Sequence, residues 1–424
     1  MAGVGAQLKV VITTIGTAGD IHPVIALSQA LNSRGHAATI CSYRIYVDKA
    51  AEAGVDFRET APDVPKESLT QTMDAILGER NILRQTKLAV SMFLLEGRKR
   101  YEQCADGMKG ADLVLCHHMD FPGQIAAIKS GVPWVVFGFC PFFIPTSERA
   151  PAYSRILNFG PTLNRLLWRL AARIQERWFF RDVAEFCVAL GVPRLGVWTW
   201  LTSPHLNICA SSSHIAAQPR DLASHTIMPG AWPLREESVE TPEIDRFIAN
   251  GSAPVVVTFG SMASGNSGVA VVLLLKAIRA VGLRAILQKG WANLLPRDFA
   301  DDVLTVGYIP HEQLFRGAFC VIHHGGAGTT AAACRAGVPS IVVAHGGDQF
   351  YWGQCLERKG IAPPPLTRRK MNARNLQQRL QAIKNDPGMA KTARAVSFAM
   401  AAEDGLGATV DALERLIGSG PGQR

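Results

Sequence analysis

Short apolar runs alternate with helical patterns from the beginning of the chain. The run Leu8 to Thr14 predicts a buried strand, and apolar positions between Ile21 and Arg34 recur at helical spacing. The glycine-containing turn Gly16 to Asp20 separates the two elements, and Gly35 marks the end of the helix before a second strand begins at Ala37. The pattern predicts a βαβ unit.

The second half of the chain carries the same pattern. After an apolar run of strand type at Phe319 to Ile322 comes the glycine-rich loop His323 to Gly328. The alanine-rich stretch Thr329 to Arg335 is helical in propensity, and Ser340 to Ala344 supplies another strand. The alternation predicts an α/β fold class in this half as well.

The length of the chain favours two domains. With 424 residues the chain is long for a single core, and two α/β domains of roughly 200 residues each are expected. We predict a first domain over residues 1–234 and a linker over residues 235–250, which are acidic and include Pro242. A second domain over residues 251–400, beginning with the strand Val255 to Phe259, and a final helix over residues 401–424 complete the prediction.

Two long stretches of the first domain are helical in pattern. One runs from about Pro65 to Lys109 and the other from Ser154 to Leu190. Within the second stretch, arginines recur every four residues beside large aromatic side chains; they are Arg165, Arg169, Arg173, Arg177 and Arg181. This row is either a solvated helix face or a surface that rests on anionic lipid headgroups.

Composition and charge narrow the class of protein and the kind of partner it binds. A hydrophobic content of 48% with 19% charged residues is typical of a globular protein. The net charge of +9, without a basic tail or a nucleic-acid module, favours a diphosphate or an anionic membrane surface as partner over nucleic acid.

The longest apolar stretch, Val132 to Pro145, is too short to span a bilayer, and no signal peptide is indicated. We expect a cytoplasmic protein, with peripheral membrane contact left open.

The cysteines and histidines do not predict a metal site. Nine cysteines are scattered without a CxxC pair, which is typical of small core residues in a reducing compartment. His117 and His118 are adjacent, and neighbouring side chains on a strand point to opposite faces, so we expect that one site does not use both.

The loop His323 to Gly328 is a candidate anion site. Glycines that open a helix leave backbone N–H groups unpaired, with the positive end of the helix dipole behind them. His324 can add a ring N–H at the same place. The spacing matches neither GxGxxG nor GxxxxGK[ST], so a phosphate site and a merely tight turn both remain open.

Four motifs of the second half resemble the donor-binding region of one enzyme family. They are GYIPHEQLF at Gly307 to Phe315, HHGGAGTT at His323 to Thr330, RAGVPSIVV at Arg335 to Val343 and GDQFYWG at Gly347 to Gly353. The family is that of the inverting, nucleotide-sugar-dependent glycosyltransferases of the UDP-glycosyltransferase superfamily, nearest to its sterol, rhamnolipid and antibiotic enzymes. The resemblance implies the GT-B fold, with two Rossmann-like domains facing across a cleft and a C-terminal helix that crosses back to the first domain.

The resemblance also assigns donor-binding residues. It implies that Tyr308 and His311 flank the nucleobase, with main-chain hydrogen bonds from Ile309, and that Asp348 and Gln349 bind sugar hydroxyls. It places around the diphosphate the residues Ser261, His324, Gly326, Gly328 and Thr329. Gly19 is also expected to bind the donor. As an alternative, Asp348 and Gln349 cap the following helix. Ala332 stands where the plant enzymes of the family carry a ribose-binding glutamate, so ribose must be bound otherwise.

For the catalytic base the resemblance points to Asp20. The sequence GDIHP corresponds to GHINP in the plant enzymes, so Asp20 occupies the place of their catalytic histidine, as in the sterol and antibiotic enzymes. The alternative is that Asp20 only caps the helix that contains Pro23. His22 is the next candidate. Asp120 occupies the place of the acid that orients the plant histidine, and it is expected to orient His22 or the acceptor, or to have no chemical role.

The resemblance implies the transfer of a hexose or deoxyhexose from a UDP or dTDP donor to a hydroxyl of a lipophilic acceptor, a sterol, a polyketide or macrolide, or a hydroxy-lipid. No metal or other cofactor is expected. The aromatic loop Phe139 to Pro145 is expected either to line the acceptor pocket or to pack on its own domain. The alternatives in function are a nucleotide-sugar epimerase on the same fold and a non-catalytic activator protein.

Overall fold

The computed structural model describes residues 7–79, 81–151, 155–178, 180–192, 203–259, 267–288 and 300–418. Its strands are β1 Lys9–Thr13, β2 Ala37–Ser42, β3 Asp56–Glu59, β4 Leu113–His117, β5 Trp134–Gly138, β6 Leu206–Cys209, β7 Thr226–Ile227, β8 Val255–Thr258, β9 Ala285–Gln288, β10 Val303–Val306, β11 Cys320–His323, β12 Ser340–Ala344 and β13 Leu366–Thr367. Its α-helices are α1 Ala18–Ser33, α2 Val47–Glu52, α3 Lys66–Gly78, α4 Ile82–Phe93, α5 Gly97–Gly107, α6 Phe121–Ser130, α7 Pro161–Trp178, α8 Arg181–Ala189, α9 Pro242–Ala249, α10 Ser267–Ala280, α11 His311–Leu314, α12 Ala327–Arg335, α13 Gln349–Arg358, α14 Ala373–Asn385, α15 Pro387–Ala401 and α16 Gly405–Gly418.

The first sheet is parallel throughout, with the strand order β3-β2-β1-β4-β5-β6-β7 within the described residues. In its centre, Val10 of β1 lies beside Ala38 of β2 and Leu113 of β4. Val10 and Ile12 pack into one apolar core, and Val11 packs into a second core on the opposite face. Burial on both faces explains why these strands are continuous apolar runs.

The second sheet repeats this arrangement. Its described strands are parallel in the order β10-β9-β8-β11-β12-β13. Helix α9 lies within the stretch predicted as a linker, and its Ile244 packs into a core of the second domain. Two Rossmann-like sheets confirm the predicted fold class, whereas the bounds of the domains stay a prediction.

The strand order places two loops where ligands bind. In sheets of this kind the order reverses between the first and fourth strands, and a crevice opens at the carboxyl ends of these strands. In the first sheet the strands are β1, followed by the Gly16 to Asp20 turn, and β4, followed by His118 to Asp120. In the second sheet they are β8 and β11, and β11 leads into His324 to Gly326.

Both long helical stretches of the first domain are divided. Residues 65–109 carry α3, α4 and α5, and Glu96 adopts a φ of 50° immediately before α5. Residues 154–190 carry α7 and α8, so Arg181 begins a new helix and pairs with Glu185 at 2.7 Å instead of continuing the row on α7. Apolar periodicity continues across such breaks and therefore does not reveal them.

The final helix, predicted from residue 401, begins four residues later, at Gly405. Helix α15 ends at Ala401 and α16 begins at Gly405. Asp404 Oδ1 accepts a hydrogen bond from the N–H of Gly407 at 2.8 Å, which starts a new helix at this point. The signal for the correct start is thus a capping aspartate, Asp404, followed by glycine.

Helix α16 crosses back to the first domain, as the fold class predicts. Val410 and Leu413 are fully buried in the core that contains β1. The Trp232 indole donates to the Thr409 hydroxyl at 2.9 Å, and Arg34, the residue after α1, forms ion pairs with residues of α16 on the surface. The apolar contacts carry most of the stability here, because exposed ion pairs contribute little.

The aromatic loop after β5 packs against the second domain. Phe142 is buried, and its ring centroid lies 5.7 Å from that of Tyr351 in α13. Cys140 and Trp352 belong to the same apolar cluster, and the Arg149 guanidinium lies 5.4 Å from the centroid of the Tyr351 ring. We call Cys140, Phe142, Tyr351 and Trp352 the interdomain cluster. Neither alternative expected for this loop included a contact with the other domain.

Two expectations about composition can be compared with the structure. All nine cysteines are buried and free, as predicted for core residues. In the part of the chain that the structure describes, none of the helices combines the length and the apolar character needed to cross a membrane.

Shortening Leu413 tests how much the returning helix contributes to the first domain. The side chain is fully buried, so Leu413→Ala leaves a cavity, and we expect the free energy of unfolding to fall by about 2–5 kcal/mol. Leu88→Ala, at a leucine of α4 that is 47% exposed, is the matched control and should change this free energy by less than about 0.5 kcal/mol. Urea unfolding followed by tryptophan fluorescence measures both variants. Equal stability of the two would contradict the packing.

Candidate active site

The turn after β1 presents a carboxylate at the edge of the first sheet. Asp20 lies in the first turn of α1, and its Oδ2 accepts hydrogen bonds from the N–H of Thr17 at 2.8 Å and from the Thr17 hydroxyl at 3.3 Å. Thr17 is the N-cap residue, so Asp20 closes a capping box from the third helical position. The capping alternative is therefore correct for one oxygen, whereas Oδ1 points toward His117.

Gly16 makes room for this carboxylate. Its φ is +116°, and a Cβ at this position would lie 2.2 Å from Asp20 Oδ2. The Tyr46 hydroxyl donates to the Gly16 carbonyl at 3.0 Å and fixes the turn from the other side. Both the conformation and the space at this position require glycine.

His117, the last residue of β4, is the neighbour of the second carboxylate oxygen. Its Nε2 lies 3.7 Å from Asp20 Oδ1, and neither ring nitrogen has a hydrogen-bond partner within the described ranges. Burial lowers the pKa of His117 to about 3, so the imidazole is neutral at neutral pH. A neutral ring can donate one N–H to the carboxylate or to a ligand. Sequence reasoning missed this residue, whose only signal is its place at the end of a central strand.

The carboxyl group of Asp20 is a stronger base than an ordinary aspartate. Its side chain is 30% exposed, and its pKa is raised from 3.8 to about 7, mainly by burial of the rest of the group. The hydrogen bond from the Thr17 N–H opposes the rise, and the negative charge of Asp348 in the second domain adds to it. The group therefore changes its charge near neutral pH.

Asp120 lies below the cleft rather than in it. It is fully buried, and its oxygens accept hydrogen bonds from Arg100 Nε at 2.8 Å and Arg100 Nη2 at 2.6 Å. Its Oδ1 also accepts from the N–H of Gly123 and so caps α6. Arg100, itself buried, donates further to the carbonyl of Thr14 at the end of β1. Both oxygens of Asp120 are occupied, so the structure gives no support to the predicted catalytic role and assigns the residue a structural one.

His22 lies at another edge of the cleft. It is half-buried, and its charge interacts with those of Glu236 and His311. Glu236 Oε1 lies 2.9 Å from Lys49 Nζ, and Glu236 Oε2 accepts a hydrogen bond from the Tyr308 hydroxyl at 2.6 Å. These contacts join the first domain, the segment that connects the domains, and the second domain.

The loop after β11 is the counterpart of the Asp20 turn in the second domain. Gly325 has a φ of +88°, and a Cβ there would lie 2.6 Å from Val342 Cγ1 and 2.8 Å from the carbonyl oxygen of Gln349. A Cβ at Gly326 would lie 2.4 Å from His324 Nε2. The first glycine lets the loop pack against β12 and α13, and the second lets the His324 ring lie against the start of α12.

The N-terminus of α12 opens beside His324. Gly326 is the N-cap residue, so the N–H groups of the following turn have no partner in the helix. Gly328 in this turn is exposed, and a Cβ there would meet no atom within 4 Å, whereas Thr329 is buried. Unpaired N–H groups and the positive end of the dipole suit an anion. Ser261, predicted for the same place, lies outside the described residues.

His324 is neutral in this position. Its pKa is lowered to about 3, mainly by burial, and the charges of His345 and His311 contribute to this shift. Its Nδ1 is buried and has no hydrogen-bond partner among the residues that the structure describes. A neutral imidazole still donates one hydrogen bond, so it can contact an anion without carrying charge.

The segment Tyr308 to His311 offers one exposed ring. Tyr308 is 61% exposed. Ile309 is buried, and its carbonyl already accepts a hydrogen bond from Gln288 Nε2 at 2.7 Å. His311 stacks on Phe315 with ring centroids 5.0 Å apart, and burial lowers its pKa to about 4. Of the predicted base-binding groups, the tyrosine ring is the most accessible.

Asp348 and Gln349 lie at the start of α13 and contact residues of their own domain, and Asp348 also forms a hydrogen bond with the Cys140 thiol of the first domain. Asp348 is the N-cap residue, but its side chain does not cap; its Oδ2 accepts from the Trp352 indole at 2.7 Å. Gln349 Oε1 accepts from the N–H of His345 at 2.7 Å and closes the preceding turn. Burial raises the pKa of Asp348, whose charge acts on Asp20 across the cleft.

The predicted residues therefore fall into groups. Asp20, with the exposed Gly19 beside it, and Asp348 come together from opposite domains. His22, Tyr308 and His311 share the edge that contains Glu236. Asp120 is not part of either group.

The adjacent histidines contradict the expectation that their side chains point to opposite faces of a strand. The rings of His117 and His118 are in contact, with centroids 4.5 Å apart. The strand β4 ends at His117, so the alternation of side chains along a strand does not apply to His118. Within the described residues, no group of three or more His, Cys, Asp or Glu side chains is placed to hold a metal ion.

Comparison with known proteins agrees with this architecture. The glycosyltransferase family 28 N-terminal domain matches residues 10–136, and the C-terminal domain of the erythromycin biosynthesis protein CIII-like family matches residues 284–416. Glycosyltransferase GtfE of Amycolatopsis orientalis is 30% identical over 369 residues, which cover 84% of this chain and 85% of the relative. O-mycaminosyltylonolide 6-deoxyallosyltransferase of Streptomyces fradiae is 28% identical, with 94% of this chain and 95% of the relative covered.

The fold is similar to that of solved glycosyltransferases. The crystal structure of glycosyltransferase VinC in complex with dTDP matches with a TM-score of 0.70 at 17% identity, over 97% of this chain and 100% of that chain. Both halves of the sequence match glycosyltransferase families, and the relatives match over most of their length. The chain belongs to the UDP-glycosyltransferase superfamily and is a glycosyltransferase of the GT-B fold.

Proposed function

We propose that the protein is an inverting glycosyltransferase that moves a hexose or deoxyhexose from a UDP or dTDP donor to a hydroxyl of a lipophilic acceptor. The observation that carries the proposal is the environment of Asp20, a carboxyl group with one uncommitted oxygen and a pKa of about 7, opposite Asp348 of the other domain. The name of the Streptomyces fradiae relative, a 6-deoxyallosyltransferase that acts on O-mycaminosyltylonolide, supports a deoxyhexose, and the VinC complex supports dTDP. Sterols and hydroxy-lipids are the other acceptor classes to test.

In the proposed reaction Asp20 is the base. The acceptor hydroxyl gives its proton to Asp20 Oδ1 while its oxygen forms a bond to C1 of the sugar from the face opposite the diphosphate. His117 Nε2, 3.7 Å from this oxygen, is placed to hold the carboxylate or the hydroxyl in position. A neutral imidazole suits this role, because it does not neutralise the negative charge that makes Asp20 basic.

The second domain receives the leaving group. As the bond between C1 and the diphosphate oxygen breaks, its electron pair and negative charge remain on the nucleoside diphosphate. The N–H groups at the start of α12 and the N–H of His324 stabilise this charge, since they are fixed in place before the reaction begins. Asp348 is proposed to orient the sugar through Oδ1, because its Oδ2 accepts from Trp352.

The position of the base favours transfer over the two alternative functions. An epimerase needs its acid and base around the donor alone, whereas Asp20 belongs to the domain opposite α12. A non-catalytic activator has no need of a carboxyl group with a raised pKa at the edge of a parallel sheet. The experiment on Asp20 separates these functions.

Replacing Asp20 tests the base. Asp20→Asn keeps an oxygen that can accept from Thr17, so the fold is retained, but we expect glycosyl transfer to fall at least about 100-fold while binding of dTDP or UDP persists. Asp245→Asn, at an exposed aspartate of α9, is the matched control and should transfer normally. Mass spectrometry of products from a panel of donors with macrolide, sterol and hydroxy-lipid acceptors measures transfer.

Other outcomes of the same assay identify the alternatives. Isomerisation of the donor without acceptor by the wild-type protein would indicate an epimerase. A folded wild-type protein that binds a donor and turns over none of the panel would indicate an activator. Full transfer by Asp20→Asn would remove Asp20 as the base.

The pH dependence of kcat/KM follows from the raised pKa of Asp20. The base must be ionised, so below about pH 7 we expect kcat/KM to fall about tenfold per pH unit. Asp348→Asn removes a charge that raises this pKa, and the acidic limb should move to lower pH, whatever the loss in absolute rate. A limb near pH 4 in the wild-type protein, or an unmoved limb in the variant, would contradict the arrangement.

Removing the His324 ring tests the diphosphate site. We expect His324→Ala to weaken binding of dTDP and UDP at least about tenfold, since one hydrogen bond to a charged group is lost. His324→Asn keeps one N–H donor and should recover part of the affinity, and His225→Ala, at an exposed histidine, is the matched control. Isothermal titration calorimetry measures all three. Unchanged affinity of His324→Ala for both nucleotides would exclude the ring from the site.

A further inference from the structure

Helix α7 exposes a continuous apolar face. The side chains of this face, which we call the apolar row, are 44–69% exposed; they are Leu163, Leu166, Leu170, Ile174 and Trp178. At 3.6 residues per turn they lie within about 120° of one another around the helix, over a length of about 22 Å. Isolated exposed leucines are ordinary on a protein surface, but an aligned row of this length marks an interaction surface.

The opposite face of α7 fixes the orientation of the helix. Trp168 is buried, and its indole donates to the Arg149 carbonyl at 2.8 Å. Asn164 is buried one turn earlier, and its Nδ2 donates to the Ser147 carbonyl at 2.8 Å. Since both anchors lie on the first domain, the helix cannot rotate to bury the apolar row in that domain without breaking them.

Arginines follow one flank of the apolar row. Arg165, Arg169, Arg173 and Arg177 are all exposed, and none of them forms an ion pair within the part of the chain that is described. Glu176 is the single acidic residue of α7. An unpaired basic flank beside an apolar face is the pattern of a helix that lies in the interface of a bilayer, with its apolar face toward the acyl chains and its cations among the headgroups.

We propose that α7 docks the protein on anionic lipid bilayers, with the apolar row inserted at the headgroup boundary and the four arginines on lipid phosphates. Charge complementarity favours this occupant over a second copy of the chain, because an interface between two α7 helices brings together two rows of arginine. The net charge of +9 also attracts the protein to an anionic surface. Contact is peripheral, and the proposal does not depend on the identity of the sugar donor or on Asp20.

Flotation of the full-length protein with lipid vesicles tests the proposal. We expect binding to vesicles of phosphatidylcholine mixed with phosphatidylglycerol, weak binding to phosphatidylcholine alone, and release by salt. Leu166→Ser with Leu170→Ser should weaken binding at least about tenfold. Arg169→Gln with Arg173→Gln should weaken it about 25-fold, at about fivefold for each arginine.

A control pair of substitutions distinguishes the contribution of α7 to vesicle binding from that of the protein's overall charge. Arg374→Gln with Lys391→Gln removes the same charge from α14 and α15 and should change vesicle binding less than about twofold. All three double variants should keep wild-type transfer to a water-soluble acceptor, so failure of the proposed function would not be confused with failure of docking.

Three results would overturn the proposal. The first is an absence of wild-type binding to anionic vesicles. The second is equal loss of binding in the control pair and the α7 variants. The third is a wild-type dimer, seen by analytical ultracentrifugation, that Leu166→Ser with Leu170→Ser converts to monomers while vesicle binding is unaffected; this result would assign the face to a second copy of the chain.

Discussion

The apolar contact between the aromatic loop after β5 and helix α13 sets the geometry of the cleft. One turn of α13 carries both Tyr351 and Trp352, which pack in the interdomain cluster, and the Trp352 indole holds the Asp348 carboxylate. The position of Asp348 relative to the first domain is therefore determined by hydrophobic packing of its own helix. Burial of aromatic side chains of this size is worth about 3–5 kcal/mol per residue by truncation, so the contact is strong enough to keep a charged group opposite Asp20.

Two carboxylates, Asp120 and Asp348, lie near the Asp20 turn, and of these two only Asp348 shifts the pKa of Asp20. Asp120 lies at the end of the neighbouring strand, but Arg100 satisfies both of its oxygens. A buried pair of this kind leaves little net charge, although removal of either partner alone would leave an uncompensated ion in the core. Asp348 lacks a cationic partner of this kind in the contacts described above and raises the pKa of Asp20. The two carboxylates thus affect Asp20 differently because of their partners: Asp348 raises its pKa, whereas Asp120 is paired with Arg100.

Sequence reasoning succeeded where the signal is local. The βαβ units, the two glycine turns and the place of Asp20 and His324 beside them follow from apolar runs interrupted by glycine, and the structure has them at the carboxyl edges of parallel sheets. Helix breaks such as that at Glu96 were missed because the apolar period continues through them. The roles of His117 and Phe142 could not be predicted, since each depends on a residue far away in the sequence, Asp20 in one case and Tyr351 in the other.

The capping box at the start of α1 also bears on regiochemistry. One oxygen of Asp20, Oδ2, is already occupied by hydrogen bonds from Thr17, so a hydroxyl approaches the carboxylate from the side of Oδ1. With Asp20 as the base, an acceptor that carries several hydroxyl groups of similar reactivity meets a proton acceptor with one open direction. Which hydroxyl is glycosylated is then decided by how the acceptor skeleton is oriented in the first domain, and loops that change this orientation can redirect the product without any change to the base.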